Sequence, residues 1–183
     1  MGDMRFRKIR EDDLELIMNW RMRPDITMYM NTDPKLTIEG QRKWYEKICK
    51  EDDTFYWIVE SDGKACGLVS LVNWDKDNSI IHTGAYIAEK DCRSLENIIN
   101  MNMNLFAYAM EEVKVNRISV EILHHNIGQL KWMHKFGATK EGVLRQAVKK
   151  GDEYYDMHIF SILADEWKDI LSKVFFKRID IEK

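Results

Sequence analysis

The sequence is short of the residues that punctuate or cross-link a chain. Both of its two prolines, Pro24 and Pro34, fall in one early stretch, and its nine glycines build no repeat. Pro-rich and Gly/Ser-rich linkers are therefore excluded, and residues 22–36 stand out as the longest loop. The three cysteines, Cys49, Cys66 and Cys92, are an odd number without a C-x-x-C pair. Neither a disulfide framework nor a thiolate metal site follows, so they read as core or surface thiols. No apolar run approaches the roughly 20 residues that span a bilayer. The first thirty residues also lack the charged start, apolar middle and cleavage site of a signal peptide. A basic excess is missing too: 28 Lys and Arg against 31 Asp and Glu leave a net charge of −3. That removes the electrostatic basis for binding nucleic acid. What remains is a soluble, cytoplasmic protein of 183 residues, enough for a single domain over 1–183 and too few for two ordinary ones.

Periodicity gives the elements. "MRFRKI" (4–9) alternates like a half-buried strand, and "EDDLELIMNWR" follows with acidic residues in its first turn and Leu14, Ile17 and Met18 at helical spacing. Thr37 caps a second helix running to Lys50. Three β-rich runs, 54–60, 64–74 and 79–88, are separated by "SDG" and "DKDN" turn signals and predict an antiparallel meander. From Ser94 to Val113 the period changes to 3.6, which predicts the longest helix. Then come a strand through "NRISVEIL", a helix over 127–136, a strand over 138–144, a "KKGDE" turn and a last strand, "YYDMHIFSIL". The order β-α-α-β-β-β-α-β-α-β-β is an α/β (α+β) mix with a partly antiparallel, partly parallel sheet. The segment 166–183 is left as a C-terminal helical tail.

The stretch "HHNIGQLKWMHKFGATKEG" (124–142), with Asn126 after the fifth strand and "KFG" closing the next helix, resembles the GNAT superfamily of N-acetyltransferases over about residues 4–165. "MNWRMRPDITMYM" (18–30), "YWIVESDGKACGLVSL" (56–71) and "FGATKEGVLRQAVKKGDEYYDMHIFSIL" (136–163) are similar to the amino-sugar nucleotide N-acetyltransferases of pseudaminic acid biosynthesis. The ribosomal-protein N-terminal acetyltransferases are similar over the second half. The resemblance implies a mostly antiparallel sheet of about seven strands in which the fourth and fifth splay apart. Acetyl-CoA would lie in the gap as co-substrate, without a metal, and a small-molecule amine, a nucleotide sugar, would be the acceptor. The enzyme would be a monomer or homodimer.

Site residues follow from the same resemblance. The backbone of Ala85, Tyr86 and Ile87 would pair with the pantetheine arm, while Arg93, Ser94 and Asn97 at a helix start would meet the phosphates. Asn126 would offer its amide to the cofactor, a role that competes with plain helix capping. Glu121, on the fifth strand opposite to Ile118, Val120 and Ile122, would be the general base; a solvent-facing glutamate is the alternative. Trp20, Arg21, Tyr29 and Tyr155 would line the acceptor, with Arg23, Tyr154 and Asp156 nearby. Two departures stand against this. "CRSLENI" places Glu96 and Ile98 where the family's phosphate loop has small residues, and Met133 occupies the usual position of a tyrosine acid. His124 and His125 are read as a loop-end pair without a role, and His82 and His158 as core histidines. Two alternatives stay open: an acetyltransferase of protein N-termini, and a non-catalytic module that binds acyl-CoA or a partner.

Overall fold

The computed structural model describes residues 3–183. In chain order the elements are β1 (Met4–Lys8), α1 (Leu14–Met22), α2 (Pro24–Thr27), α3 (Ile38–Ile48), β2 (Phe55–Ser61), β3 (Lys64–Asp75), β4 (Ile80–Ile87), α4 (Leu95–Ala107), β5 (Arg117–Leu123), α5 (Ile127–Phe136), β6 (Thr139–Lys150), β7 (Glu153–Leu163), α6 (Trp167–Lys173) and β8 (Asp180–Ile181). One eight-stranded sheet runs β6-β7-β5-β4-β3-β2-β1-β8. It is antiparallel except where β4 meets β5 and β1 meets β8.

Local chemistry explains most boundaries. Thr37 accepts from the Gly40 amide and caps α3, and Ser94 does the same for α4 through the Asn97 amide. Gly137, at φ +89°, ends α5 in the left-handed conformation that glycine adopts without penalty. Three features depart from expectation. The stretch 22–36 contains the short helix α2, which Pro24 opens at a position where its missing N–H costs nothing. Strand β6 runs to Lys150 instead of stopping at 144; a register shift between Leu144 and Val148, with Gln146 at φ +51°, breaks the alternation that would have revealed it. The tail is helical only as α6, and its end supplies an eighth strand where about seven were expected. Asn100 and Asn104 on α4 dock that end by bonding the backbone of Lys177 and Ile179.

The sheet has two differently covered faces. Ile81, Ile87, Ile118, Val120 and Ile122 join Met101, Met103 and Phe106 of α4 in the larger core. On the opposite face Leu14, Ile17 and Trp20 of α1 pack with Ile58 and Ala88, and Tyr86 leans on them. Helix α1 is fixed there by a buried charge cluster. Arg7 donates to both carboxylate oxygens of Asp13 at 2.7 Å and to Glu60 at 2.5 Å. Burial would push the Asp13 carboxyl up, but Arg7 and the Arg10 amide outweigh it and hold the group below its ordinary 3.8. Glu60 is likewise held below 4.5, with Arg7 and Arg5 overcoming its burial.

Arg7→Met leaves two buried carboxylates without their partner and should cost about 3–5 kcal/mol in urea denaturation near neutral pH. Because both carboxyls have depressed folded-state values, their contribution is present above the ordinary carboxylate range and lost as pH falls through the lowered ones. The gap between wild type and variant should therefore narrow in acid; a gap constant from pH 7 to 3 would refute the assignment.

Candidate functional site

Strands β4 and β5 pair over only three residues, Ile80–Arg117, Ile81–Ile118 and His82–Ser119. Beyond them β4 stays on β3 as far as Ile87–Gly67, and β5 stays on β7 as far as Leu123–Met157. The strands part because β4 is drawn toward β3. A Cβ at Gly67 would stand 2.2 Å from the Tyr86 carbonyl oxygen, so only glycine permits that approach. Cys66 is the extra residue of a bulge against β2, and its carbonyl accepts from the Ala88 and Glu89 amides.

The gap is a cleft of about 570 Å³ that passes through the sheet. Strand alternation assigns its two sides. On the α4 and α5 side it is lined by Ala85, Ile87, Ile98, Met101, Asn102, Val120, Ile122, Asn126 and Gln129. On the α1 side lie His82, Tyr86, Ser119 and Glu121, with Arg21, Tyr29 and Thr32 contributed by α1 and the loop after it. The first side is largely apolar and bounded by two strand edges with unpaired backbone groups. The second carries the charges.

Several expected residues converge here. Ala85, Tyr86 and Ile87 line the cleft, although the Ile87 carbonyl already accepts from Arg93 Nε at 2.8 Å. Asn126 lines it and caps α5, its Oδ1 accepting from the Gln129 amide at 3.3 Å while Nδ2 has no partner among the described residues. Glu121 lines it with a carboxylate that forms no ion pair or hydrogen bond among the described residues. Arg21 lines it, with Nη2 held by the Thr32 carbonyl and hydroxyl at 3.0 and 2.8 Å. Tyr29 faces the same space.

Others are placed differently. Trp20 is buried in the α1 core and donates to Glu89 at 2.7 Å, so it packs the helix and does not line the cleft. Tyr155 is also outside the lining: it bonds Glu153 and stacks on His124. Arg93 reaches the cleft, but its Nη2 is held by Asp25 at 2.7 Å and the Ala88 carbonyl at 2.8 Å. Arg23 is held by the same two partners. Asp25, clamped by Arg23 and then Arg93, is held far below the ordinary carboxylate range. Ser94 and Asn97 satisfy each other at the first turn of α4, and the Asn97 amide side chain donates to the Cys92 carbonyl. That leaves the Leu95 and Glu96 amides without an intrachain partner among the described residues, as at any helix start, with the exposed Glu96 carboxylate beside them.

Three features escaped the sequence reading. His125 bonds the Met28 carbonyl through Nε2 and stacks on Tyr29 at 5.9 Å, so this histidine fixes the loop over the cleft. Lys150 from β6 anchors the same loop at Thr27 and Asp33. His82, the last residue of β4 paired with β5, lines the cleft instead of the core. All three depend on contacts far apart in sequence, and no local pattern announces them. Met133 is fully buried under α5, so that helix presents no proton donor at the family's usual position.

The profile of the Acetyltransferase (GNAT) domain family matches residues 3–139. The chain belongs to the GNAT acetyltransferase family. Among relatives of this GNAT protein, the uncharacterized N-acetyltransferase p20 of Bacillus licheniformis is 24% identical over 182 residues, covering 88% of this chain and 93% of the relative. Acetyltransferase PseH of Campylobacter jejuni is 25% identical over 134 residues, 69% of this chain and 76% of the relative. Among solved structures, spermidine N-acetyltransferase from Vibrio cholerae in complex with CoA and spermine superposes with a TM-score of 0.85 at 17% identity, over 91% of this chain and 98% of that one. At that identity the likeness establishes the fold. Family membership makes the protein an acyltransferase of the N-acetyltransferase type, and the non-catalytic alternative falls away.

The two slot-mouth features can be tested separately. Asn126→Asp keeps the cap acceptor and removes the amide donor, so stability should hold within a few tenths of a kcal/mol. CoA affinity should fall about fivefold, the worth of one hydrogen bond. Unchanged affinity by calorimetry would make Asn126 a cap alone. Glu96→Gln removes a carboxylate at the start of α4 and should tighten CoA by about fivefold at low salt, from roughly 1 kcal/mol of Coulomb repulsion. No change would place the phosphates elsewhere.

Proposed function

We propose that this GNAT enzyme transfers an acetyl group from acetyl-CoA to the primary amine of a nucleotide-linked amino sugar, by direct attack and without an acyl-enzyme intermediate. The observation that carries the reading is that a carboxylate free of ion pairs, Glu121, and a guanidinium, Arg21, both line one side of the slot.

The donor fits the other side. Unpaired edges on β4 and β5 suit an extended amide-bearing chain, as an added strand would. Asn126 Nδ2 and the amides of Leu95 and Glu96 would meet its polar groups. Acetyl-CoA would supply an activated thioester carbonyl. The protein's own work is to bring an amine to it and to take the amine's proton.

Glu121 is the base in this reading. An ammonium has no lone pair to attack with, so the carboxylate must take one proton, directly or through water, before the nitrogen adds to the thioester carbonyl. The C–S bond then breaks, and the second amine proton is lost to solvent while the leaving sulfur takes one back. The parting of β5 from β4 exposes Glu121 to the slot, and its backbone is fixed by pairing with Ile159. Met133 is buried and has no proton to give, so the leaving sulfur would take its proton from water.

The charge pattern favours a sugar nucleotide over the other amines. A polyamine needs several free carboxylates, and an acidic cleft would suit a protein N-terminus. Of the two acidic residues lining this cleft, Asp25 is paired with Arg23 and Arg93, leaving Glu121. Nearby Glu89 and Asp33 are engaged by Arg23 and Lys150. Tyr29, held by His125, offers an aromatic face for a base or sugar ring. The resemblance of residues 18–30 to nucleotide amino-sugar acetyltransferases points the same way.

Glu121→Gln should lower kcat by about 10²–10⁴-fold while CoA affinity stays near wild type. Turnover of a panel of nucleotide amino sugars, polyamines and peptide N-termini identifies the acceptor class. A variant as active as wild type would remove Glu121 from the mechanism.

A further inference from the structure

The acceptor side of the cleft contains two buried polar atoms with no partner among the described residues, Arg21 Nη1 and Tyr86 Oη. Both residues line the cleft. Buried donors are normally satisfied, and leaving one unpaired costs the full desolvation of that group. Two in one place mark a missing acceptor.

The chemistry of that acceptor follows from the pair. Arg21 is a permanent cation and has only donors. Its Nη2 is spent on Thr32, which aims the fork and leaves Nη1 over. Burial holds the Tyr86 phenol well above its ordinary range despite the nearby Arg21 charge, so the hydroxyl keeps its proton and can donate. Asp33, the carboxylate that bears on Arg21, is engaged by Lys150. A positive charge beside a phenol, each with a donor to spare, suits an oxygen anion.

We infer that Arg21 and Tyr86 form an anion subsite that selects acceptors bearing a phosphate or carboxylate beside their reactive amine. This deepens the amino-sugar reading and rests on it. It makes Tyr86 a specificity residue through its side chain, where the family resemblance gave it only a backbone role toward the cofactor. Glu121, which takes the proton, and the Arg21–Tyr86 pair then divide the acceptor side between them: one meets the ammonium, the other the neighbouring anion of the same molecule.

The test uses the full chain, first saturated with CoA and then without it, titrated calorimetrically with UDP-glucosamine, glucosamine 1-phosphate, glucosamine and spermidine. The anionic probes should bind, weaken at least tenfold in Arg21→Gln and at least threefold in Tyr86→Phe, and glucosamine should not respond to either change. Tighter binding of UDP-glucosamine than of glucosamine 1-phosphate assigns the subsite to a diphosphate; equal binding assigns it to one phosphate. Tyr86→Phe removes only the unpaired hydroxyl, so the unliganded variant should melt at or above the wild-type temperature. A lower Tm would mean the hydroxyl had a partner and would overturn the inference. So would anionic probes that bind both variants like wild type, or that fail to bind wild type at millimolar concentration. Failure of CoA to bind would strike the transferase reading separately, since the CoA-free titrations still read the subsite.

Discussion

The site exists because β4 is pulled toward β3 before β5 can follow it. Gly67 lets the Tyr86 carbonyl approach to a distance no side chain would tolerate, and the bulge at Cys66 adds twist at the same level. Arg93 then holds the end of β4 in place by taking the Ile87 and Ala88 carbonyls. Once the ladder ends at His82 and Ser119, a sheet that would otherwise be continuous has a hole bounded by unpaired backbone. Unpaired backbone near apolar surface is costly unless water or a ligand meets it, which is why the hole is a place to bind.

Around that hole the chain separates two kinds of chemistry by strand alternation alone. Residues of one parity on β4 and β5 face α4 and α5 and make a slot suited to an extended, mostly apolar chain. Residues of the other parity face α1 and carry Glu121, His82 and Tyr86. The loop after α1 covers this second side and is held from three directions, by Arg21 through Thr32, by His125 through Met28, and by Lys150 through Thr27. These contacts come from α1, the end of β5 and β6, so the cover over the acceptor is assembled by distant parts of the chain.

Much of this was legible in advance. The order of elements, the caps at Thr37, Ser94 and Asn126 and the stop at Gly137 are local: each depends on a side chain and the backbone within a few residues of it. The separation of β4 from β5 and the position of Glu121 followed from the family resemblance together with alternation. Trp20 was misplaced because an aromatic on an amphipathic helix looks alike whether it faces a ligand or a core; its burial against Ile58 and its bond to Glu89 are long-range facts. Tyr155, on β7, is drawn to Glu153 and His124, contacts that the strand pattern does not reveal, and His125 was passed over because its partner, Met28, lies 97 residues away. The tail strand was missed because two residues have no periodicity to detect.

The sequence by itself determined the kinds of elements, their order and the family, because periodicity, capping and turn chemistry act between neighbours. It also supplied three arginines, Arg21, Arg23 and Arg93, that are equivalent as text. Only the tertiary structure decided which of them keeps a buried nitrogen without a partner among the described residues: Arg23 and Arg93 bond Asp25 and the Ala88 carbonyl, while Arg21 Nη1 is buried and unmatched. A polar group's availability is what remains after its partners are counted, and those partners arrive from other parts of the chain.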